Sequence, residues 1–393
     1  MKYNFDKQVD RRGTNCVKWD EFDDPEIIPM WVADMDFETA PCITKALKER
    51  MEHGCYGYTF VPDSFYKATI DWFSRRHGWK ISGKQAFVYT SGVVPALSAI
   101  IKAMTKAGEK VLIQTPVYNC FFSSIRNNGC EVVENPLQQC ESVCVDWEDF
   151  ERKCADSKVK VFVLCNPHNP VGRVWTKEEL VRMGDICLKN GVFVISDEIH
   201  CEFVYSKEAP YTPFASISED FAQNCAVCVS PSKAYNIAGL QIANIIAENS
   251  DVRARIDKAI NINEVCDVNP FGVIALQAAY SKEGEEWLNE LCEYIHGNYL
   301  LAKSMIEKDL PEVKIAELQG TYLMWADVKA LGLKSAELCH LLQKEGKVYV
   351  NPGTMYGEKT GEGYIRINLA TPRSLVEEGM RRLVRVCCQH LGR

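Results

Sequence analysis

Residues 159–198 read VKVFVLCNPHNPVGRVWTKEELVRMGDICLKNGVFVISDE. Two apolar runs rich in β-branched residues, Val159–Leu164 and Gly191–Ser196, flank a helical stretch, Lys177–Asn190, whose start carries the capping-box pattern TKEE. Strands that are apolar at every position are typical of a parallel sheet that helices cover on both faces. This strand–helix–strand unit therefore predicts an α/β fold with a mostly parallel sheet.

The same alternation extends in both directions from this unit. We predict seven strands for one large sheet, at Phe87–Thr90, Lys110–Gln114, Glu131–Val133, Val159–Leu164, Gly191–Ser196, Ala226–Val229 and Ala243–Ala247. After about Leu288 the pattern changes to a long amphipathic helix, short strands and further helices. We therefore predict a large domain over residues 48–287 and a smaller, discontinuous α/β domain built from residues 1–47 and 288–393.

The composition is that of an ordinary globular protein: of 393 residues, 47% are hydrophobic and 25% are charged. A net charge of −8 argues against nucleic acid or an anionic membrane as the main partner. The apolar runs are much shorter than the roughly 20 residues that span a membrane. The opening MKYNFDKQVDRRGTN places no apolar stretch behind its positive charges, so we expect no signal peptide.

The chain is unusually rich in cysteine, with 18 residues. Disulfide frameworks are typical of short secreted chains, and the Cys-x-x-Cys pair Cys225 and Cys228 lies in an apolar run that reads as a strand. Most of the others stand singly in apolar contexts, where a reduced thiol behaves as a small hydrophobic group. We predict reduced, mostly buried thiols and a cytoplasmic protein.

Two patterns raise the possibility of a nucleotide or metal site, but each lacks a required feature. GWKISGK at Gly78–Lys84 has the spacing of a P-loop, yet Gln85 replaces the Ser or Thr that would reach the metal, and the segment runs from a helix to a strand. The sequence contains no G-x-G-x-x-G pattern, and its seven histidines lack metal-ligand spacing. We predict a surface turn at Gly78–Lys84 and no catalytic metal.

Ligands of an open α/β sheet bind at the carboxyl ends of its strands, so the residues that follow each predicted strand are candidates. Ser91, Gly92 and Val93 follow the first strand and precede a helix, where free N–H groups suit a phosphate. Ser-Gly before a helix is also a common cap. Asn169 lies in the turn Asn166–Gly172, which two X-Pro bonds and a glycine make rigid.

Two further strand ends carry charged side chains. Asp197 ends a wholly apolar strand, either as a functional carboxylate or as the cap of the next turn. Lys233 follows a buried strand beside Ser230 and Ser232, where it can have a lowered pKa and act as an amine nucleophile. A phosphate cradle, Asn, Asp and Lys in this order match pyridoxal phosphate (PLP), whose pyridine nitrogen needs an acidic partner and whose aldehyde needs a lysine.

The segments NPHNPVG (Asn166–Gly172), SDE (Ser196–Glu198) and SPSKAYNIAGLQ (Ser230–Gln241) resemble the fold-type I PLP family around aspartate aminotransferase. Four segments resemble, in particular, the MalY/PatB branch of cystathionine β-lyases: PMWVADMDF at Pro29–Phe37, YGYT at Tyr56–Thr59, SDEIH at Ser196–His200 and NPGTMYG at Asn351–Gly357. The resemblance covers nearly the whole chain. It implies PLP as the cofactor and a large cofactor-binding domain beside a smaller one.

The resemblance also implies roles for individual residues. Lys233 would bind the cofactor covalently, Asp197 would pair with the pyridine nitrogen and Asn169 with the phenolic oxygen. Tyr118 would stack on the ring, although by itself it reads as a core aromatic. The residues that would hold the phosphate are Ser91, Gly92, Val93, Ser230 and Ser232.

Four more positions have implications for assembly and specificity. Tyr58 would reach the phosphate of the neighbouring subunit, which implies a homodimer with shared active sites. Arg366 would bind the substrate carboxylate in a two-pronged pair, or else form a structural ion pair. Gln241 stands where many aminotransferases carry an arginine, and His200 where they carry a tyrosine. His200 either bonds the phenolic oxygen or packs, and both departures fit the lyase branch better than a typical transaminase.

The resemblance predicts a carbon–sulfur β-lyase that converts cystathionine, cysteine or a related S-substituted amino acid to a thiol, pyruvate and ammonia. Lys233 would remove the α-proton as general base, and Asp197 would stabilise the electrons taken up by the ring. One rival is a PLP-dependent aminotransferase on the same scaffold. The other is a regulatory protein that retains PLP and acts through a protein partner.

Overall fold

A computed structural model describes residues 1–139, 143–206, 210–264 and 267–393 of the chain. Its α-helices are α1 Val17–Asp20, α2 Pro41–Glu52, α3 Asp63–His77, α4 Val93–Met104, α5 Cys120–Asn127, α6 Trp147–Cys154, α7 Lys177–Lys189, α8 Glu219–Gln223, α9 Ser250–Asn261, α10 Pro270–Ala279, α11 Lys282–Asp309, α12 Ser335–Leu341 and α13 Arg373–His390.

The strands are β1 Ile28–Pro29, β2 Phe87–Thr90, β3 Lys110–Thr115, β4 Glu131–Pro136, β5 Gln138–Gln139, β6 Val143–Cys144, β7 Val159–Cys165, β8 Phe193–Asp197, β9 Cys225–Val229, β10 Ala243–Ile246, β11 Lys314–Ile315, β12 Leu323–Asp327, β13 Val348–Tyr349, β14 Asn351–Pro352 and β15 Tyr364–Asn368. All seven predicted strands of the large sheet are present. Their ends differ from the prediction by a few residues at most.

Seven strands form the large sheet in the order β2-β10-β9-β8-β7-β3-β4. Only β10 runs antiparallel to its neighbours, β2 and β9, and the remaining pairs are parallel. Side chains on one face, such as Val161, pack in a cluster with α4, α5 and α9. Those on the other face, such as Phe162, pack with α3, α7 and α10. Helices on both faces explain why these strands are apolar throughout, and the predicted α/β fold with a mostly parallel seven-stranded sheet is confirmed.

The register of the central strands aligns their carboxyl ends. Cys165 at the end of β7 lies opposite Asp197 at the end of β8, and Asp197 lies opposite Cys228 of β9. The backbone N–H of Asn166 donates to the Asp197 carbonyl over 3.0 Å, one residue beyond the last pair. The polar residues after β7, β8 and β9 therefore emerge together at one edge of the sheet.

A second, four-stranded sheet has the order β11-β12-β15-β14 and is antiparallel throughout. Its strands share a core with α11, α12 and α13. Near this core β1 pairs in parallel with β13, so the N-terminal segment joins elements far along the chain. The proposed domain boundaries at residues 47 and 287 stay a prediction.

Local backbone geometry explains the limits of two segments singled out from the sequence. The strand predicted from Gly191 begins at Phe193, because Gly191 has a positive φ of 65° that ends the turn after α7. The P-loop-like segment begins at Gly78, which caps α3 with a positive φ of 67°, and leads through a short 3₁₀ turn into β2. Its lysine, Lys84, is exposed and pairs with Asp63, in agreement with the predicted surface turn.

Fifteen cysteines of the described residues are free thiols, and ten of these are buried. Cys144 is disulfide-bonded, so the predicted reduced state is wrong at that position. Among the described helices, none combines the length and the apolar character that crossing a membrane would require.

Gly320 lies in the loop between β11 and β12 of the small sheet and tests how closely this loop packs on the turn after β7. Its N–H donates to the Gly172 carbonyl over 2.9 Å, and an added Cβ would lie 2.8 Å from Pro167, Val174 and the Phe203 carbonyl. We expect Gly320→Ala to lower the free energy of unfolding by about 2 kcal/mol in urea titrations, because none of these three neighbours is the movable end of a flexible side chain. Gly239→Ala, which meets no atom within 4 Å, is the control and should leave stability nearly unchanged. Equal effects of the two substitutions would contradict the packing argument.

Candidate active site

One cavity of about 210 Å³ opens at the carboxyl edge of the large sheet. Nine of the twelve residues predicted for the site line it: Ser91, Gly92, Val93, Tyr118, Asn169, Asp197, His200, Ser232 and Lys233. Ser230 and Arg366 contact lining residues from behind. Tyr58 does not line the cavity and is 96% exposed. The nine predicted residues that line the cavity span 142 positions of the chain, from Ser91 to Lys233, and the structure brings them together as an open α/β sheet does at its ligand-binding edge.

Asp197 is the last residue of β8 and is buried. Burial raises the pKa of its carboxyl to about 7, although the Ile199 N–H, 3.2 Å from Oδ1, and the charge of Lys233 act in the opposite direction. A carboxylate in such a site gains from a cationic hydrogen-bond donor, because its own charge is poorly solvated. Asp197 therefore caps the next turn through Oδ1 and is also suited to hold a proton on the nitrogen of a bound heterocycle.

Lys233 lies four residues beyond β9, with its Nζ donating to the Ala33 carbonyl over 2.5 Å. Burial lowers the pKa of this amine, and the Arg366 charge adds to that effect, while Asp34 and Asp197 oppose it. A lowered pKa increases the fraction of free amine, which is the form that acts as nucleophile or base. The prediction of a reactive lysine at this strand end is consistent with these surroundings.

The N-terminal end of α4 faces the cavity. Gly92 is the N-cap, and no side chain caps the helix, so Val93 and the following residues offer N–H groups without a side-chain acceptor. Ser232 lines the same cavity, and Ser230 supports it: the Ser230 hydroxyl donates to the Ile242 carbonyl and accepts from the Ser232 N–H. An uncapped helix start beside a serine suits a phosphate group.

Arg366 is buried on β15 behind the cavity. Its Nη1 donates to Asn169 Oδ1 over 3.1 Å and its Nη2 to the Trp31 carbonyl over 2.6 Å, while the Tyr356 ring lies 4.7 Å away. Among the described residues no carboxylate forms a salt bridge with it, and its Nε has no hydrogen-bond partner. A buried guanidinium without a carboxylate calls for an anionic ligand, which disfavours the structural ion pair.

The Asn169 side chain connects this guanidinium with the cavity. Because Asn169 Oδ1 accepts from Arg366, its Nδ2 amide is the group that can donate to a ligand. The residue is buried in the turn after β7, where its own N–H donates to Cys165 Sγ over 3.4 Å. The turn holds the amide at a constant position, as the two prolines in its sequence predict.

Two aromatic side chains complete the walls. Tyr118 lines the cavity, and burial raises the pKa of its hydroxyl, so it is a neutral phenol. His200 is buried, packs edge-on against Tyr322 at 5.5 Å and leaves its Nδ1 without a partner. Burial lowers the pKa of His200 to about 3, so the ring is neutral. His200 thus lines the cavity and packs against Tyr322, and its bond to the phenolic oxygen of a cofactor stays a prediction.

The position of Gln241 agrees with its departure from the aminotransferase pattern. It adopts a left-handed backbone conformation with φ of 49° at the end of a 3₁₀ turn, is exposed and does not line the cavity. Lys233 is the one cationic side chain among the residues that line the cavity in the described chain. Backbone N–H groups and hydroxyls would therefore do most of the binding of a phosphate.

Sequence reasoning did not identify six other residues of the cavity wall: Ala33, Val94, Pro95, Cys165, Ile199 and Ala238. Most of these are small or apolar neighbours of predicted residues. Ala33 differs, because it comes from the N-terminal segment and its carbonyl holds Lys233. The signal available for it was the segment PMWVADMDF, which carries family resemblance but no residue type that suggests chemistry by itself.

A separate cluster places possible metal-ligating atoms of His77, Cys201 and Glu202 within 4.8 Å of one another. The Glu202 carboxylate already accepts hydrogen bonds from Trp72, Arg76 and His77. Although burial opposes it, the charges of His77 and Arg76 lower the pKa of Glu202 to about 2. These contacts satisfy the carboxylate, so the cluster is an ion-pair network within the core.

The raised pKa of Asp197 predicts a pH-dependent stability of the cofactor-free protein. The folded state binds more protons than the unfolded state between the ordinary pKa of 3.8 and about 7, so ionisation of Asp197 lowers stability as the pH rises through this range. We expect Asp197→Asn to gain free energy of unfolding over the wild type, by about 2 kcal/mol more at pH 8 than at pH 5. Urea unfolding at both pH values measures this. Asp185→Asn, at an exposed position of α7, is the control, and an equal gain for Asp197→Asn at both pH values would contradict the prediction.

Comparison with known proteins agrees with this geometry. The family model "Aminotransferase class I and II" matches residues 25–383. The chain is 43% identical over 385 residues to "Cystathionine beta-lyase PatB" of Bacillus subtilis, covering 97% of this chain and 98% of that protein. Two solved PLP-bound structures are similar along their whole length. Cystalysin of Treponema denticola has a TM-score of 0.95 and 32% identity, over 99% of this chain and 100% of that one. A C-S lyase of Staphylococcus hominis has a TM-score of 0.91 and 33% identity, over 98% of this chain and 99% of that one. The chain belongs to the class I and II aminotransferase family.

Proposed function

We propose that this chain is a PLP-dependent carbon–sulfur β-lyase that cleaves cystathionine, cysteine or a related S-substituted amino acid. The products would be a thiol, pyruvate and ammonia. The observation that carries the proposal is the convergence of the Lys233 amine, the buried Asp197 carboxyl and the uncapped start of α4 on one cavity. The names of the relatives, a cystathionine β-lyase and a C-S lyase, favour β-elimination over other reactions of this family.

The cavity residues fit PLP group by group. Asp197 would pair with the pyridine nitrogen and the Asn169 amide would donate to the phenolic oxygen. Tyr118 would stack against the ring. The phosphate would lie at the start of α4, with Ser91, Gly92, Val93 and Ser232 around it and Ser230 behind. When bound, PLP accepts the electron pair left on the substrate α-carbon after loss of its proton.

Lys233 would have two tasks, to hold the cofactor covalently and, once the substrate amine has replaced it, to act as general base at the α-carbon. Its lowered pKa favours the free amine that removes the proton. The same amine, now protonated, would be available to donate its proton to the departing thiolate. Its hydrogen bond to the Ala33 carbonyl keeps Nζ at the cavity wall.

Arg366 would bind the substrate carboxylate. Two of its nitrogens already have neutral acceptors, Asn169 Oδ1 and the Trp31 carbonyl, so the guanidinium is oriented but its charge is not neutralised. An α-carboxylate would supply the missing negative charge. Recognition at this end orients the Cα–H bond relative to Lys233, which is how binding energy at a remote group assists the reacting one.

The lyase and aminotransferase readings differ in what they require. We expect the PLP-loaded protein to release pyruvate and thiol from L-cystathionine over many turnovers with no keto acid present, as measured by a pyruvate-coupled assay and a thiol reagent. Lys233→Ala should abolish the visible absorption of the lysine-bound cofactor and lower kcat about 10³-fold or more, because it removes both the covalent link and the base. Lys67→Ala, on the exposed face of α3, is the matched control.

Each alternative has its own result in this assay. Turnover that depends on an added keto acid would indicate an aminotransferase. A protein that binds PLP through Lys233 but turns over neither substrate class would leave the regulatory role. A wild type without a visible lysine–cofactor band would overturn the proposal as a whole.

We further propose a homodimer with shared active sites in the cytoplasm, in keeping with the 15 free thiols among the described residues. The support is an exposed arm, residues 54–62, between α2 and α3. Tyr58 and Phe60 of this arm are 96% and 81% exposed, and aromatic rings so exposed to water are typical of an interface. A second copy would cover these rings, and Tyr58 of the first copy would then lie at the phosphate site of the second.

Subunit mixing tests the shared site. Tyr58→Phe and Lys233→Ala homodimers should each be impaired, because each lacks one partner of every site. A mixed dimer would contain one complete site, so refolding the two variants together should restore about a quarter of wild-type activity. Two Lys233→Ala preparations mixed in the same way are the control. No recovery from a mixture shown to contain heterodimers would contradict the shared site.

A further inference from the structure

The segment WVAD at Trp31–Asp34 runs along the cavity and presents its carbonyls to residues of the site. The Trp31 carbonyl accepts from Arg366, and the Ala33 carbonyl accepts from both Lys233 Nζ and the Tyr322 hydroxyl, the latter over 3.0 Å. Asn368 on β15 donates from Nδ2 to the Val32 and Asp34 carbonyls, 2.7 Å each. The peptide that holds Lys233 is thus itself held on both sides of Ala33.

Asp34, next to Ala33, carries a carboxylate whose two oxygens have different surroundings. Oδ2 accepts from Arg11 Nη2 over 2.7 Å. Oδ1 is buried and has no hydrogen-bond partner, with the buried Lys18 Nζ 4.0 Å away. A buried carboxylate oxygen without a donor is costly and calls for a function. Arg11 and Lys18 are in turn tied to the buried Asp36, over 2.9 and 2.7 Å, which anchors the whole arrangement.

The charges that act on Lys233 come from several elements. Asp34 and Asp197 favour its protonated form, as does Cys120 at the start of α5, whereas Arg366 on β15 and burial disfavour it. His200 lies near enough for the Lys233 charge to act on it, but it is neutral. Asp197 is committed to the cofactor nitrogen in the proposed function. Asp34 is then the remaining carboxylate that acts on Lys233.

We propose that Asp34 is a positioning residue for the lyase reaction: its carboxylate, held by Arg11 beside the Ala33 carbonyl, supplies the negative charge that governs how readily Lys233 takes up and returns a proton. The inference rests on the proposed function, since it assigns a partner to the lysine of that reaction. It also gives a task to the segment PMWVADMDF, which none of the roles assigned to the cofactor-binding residues explains.

A purely structural role for Asp34 makes a different prediction. If the Arg11–Asp34 pair only fastened the N-terminal segment, loss of either partner would loosen the segment and both variants would change the site in the same direction. If the charge of Asp34 acts on Lys233, removing the Asp34 carboxylate and removing the Arg11 cation must shift the protonation of Lys233 in opposite directions. The acid favours the protonated nitrogen, and the Arg11 guanidinium offsets that acid.

The test is a pH titration of the visible absorption of PLP bound through Lys233, which changes when the nitrogen that joins them loses its proton. We expect Asp34→Asn, which keeps the shape of the side chain, to move the midpoint about one pH unit lower. Arg11→Gln should move it higher. Glu38→Gln is the matched control: it removes one carboxylate just beyond PMWVADMDF, at an exposed position paired with Lys7, and should leave the midpoint unchanged.

Thermal unfolding of each variant separates these effects from loss of structure. If Asp34→Asn does not fold, the direction of the Arg11→Gln shift decides the matter. The inference would be overturned if Asp34→Asn left the titration midpoint unchanged from the wild type. It would also be overturned if Asp34→Asn and Arg11→Gln shifted the midpoint in the same direction. A wild type that shows no titrating band would instead overturn the proposed function, so the two failures are distinguishable.

Discussion

Burial of opposite charges at the ends of adjacent parallel strands is the constraint on which this active site depends. Asp197 ends β8 and Lys233 lies four residues beyond β9, and the register between these strands places their ends at one edge of the sheet. Burial there works against ionisation of both groups: it raises the pKa of Asp197 and lowers the pKa of Lys233. A parallel sheet covered on both faces produces such a place without any special local sequence, because its strand ends are the one part that helices leave open.

The rest of the molecule maintains this arrangement from the other side. The small antiparallel sheet contributes Arg366 and Asn368 from one strand, β15, and both side chains bind carbonyls of the N-terminal segment. The Ala33 carbonyl of that segment in turn accepts a hydrogen bond from Lys233 Nζ. The site is thus closed by backbone acceptors whose positions depend on long-range hydrogen bonds. Such acceptors orient cationic groups without neutralising them, which preserves their charge for a substrate.

Prediction from sequence was most successful where residue type and strand position carried the information together. Asn169, Asp197 and Lys233 each follow an apolar run that the pattern predicts as a buried strand, and all three line the cavity. Element ends were less accurate, as at Gly191, where a left-handed residue delays the strand. Ala33 was missed because a carbonyl acceptor has no side-chain signature. The predicted reduced state was wrong at Cys144, since the sequence does not show which cysteines lie close enough to form a disulfide.

The amino-acid sequence by itself determined the α/β fold, the order of the seven strands along the chain and the residue types at their carboxyl ends. These follow from local periodicity and from chemistry that each residue carries wherever it lies. Only the tertiary structure decided which groups act on one another: that the Asp34 charge acts on Lys233, that Arg366 lacks a carboxylate partner among the described residues, and that β10 is antiparallel to its neighbours. These properties depend on distance and burial, and both arise only when segments remote in sequence pack together.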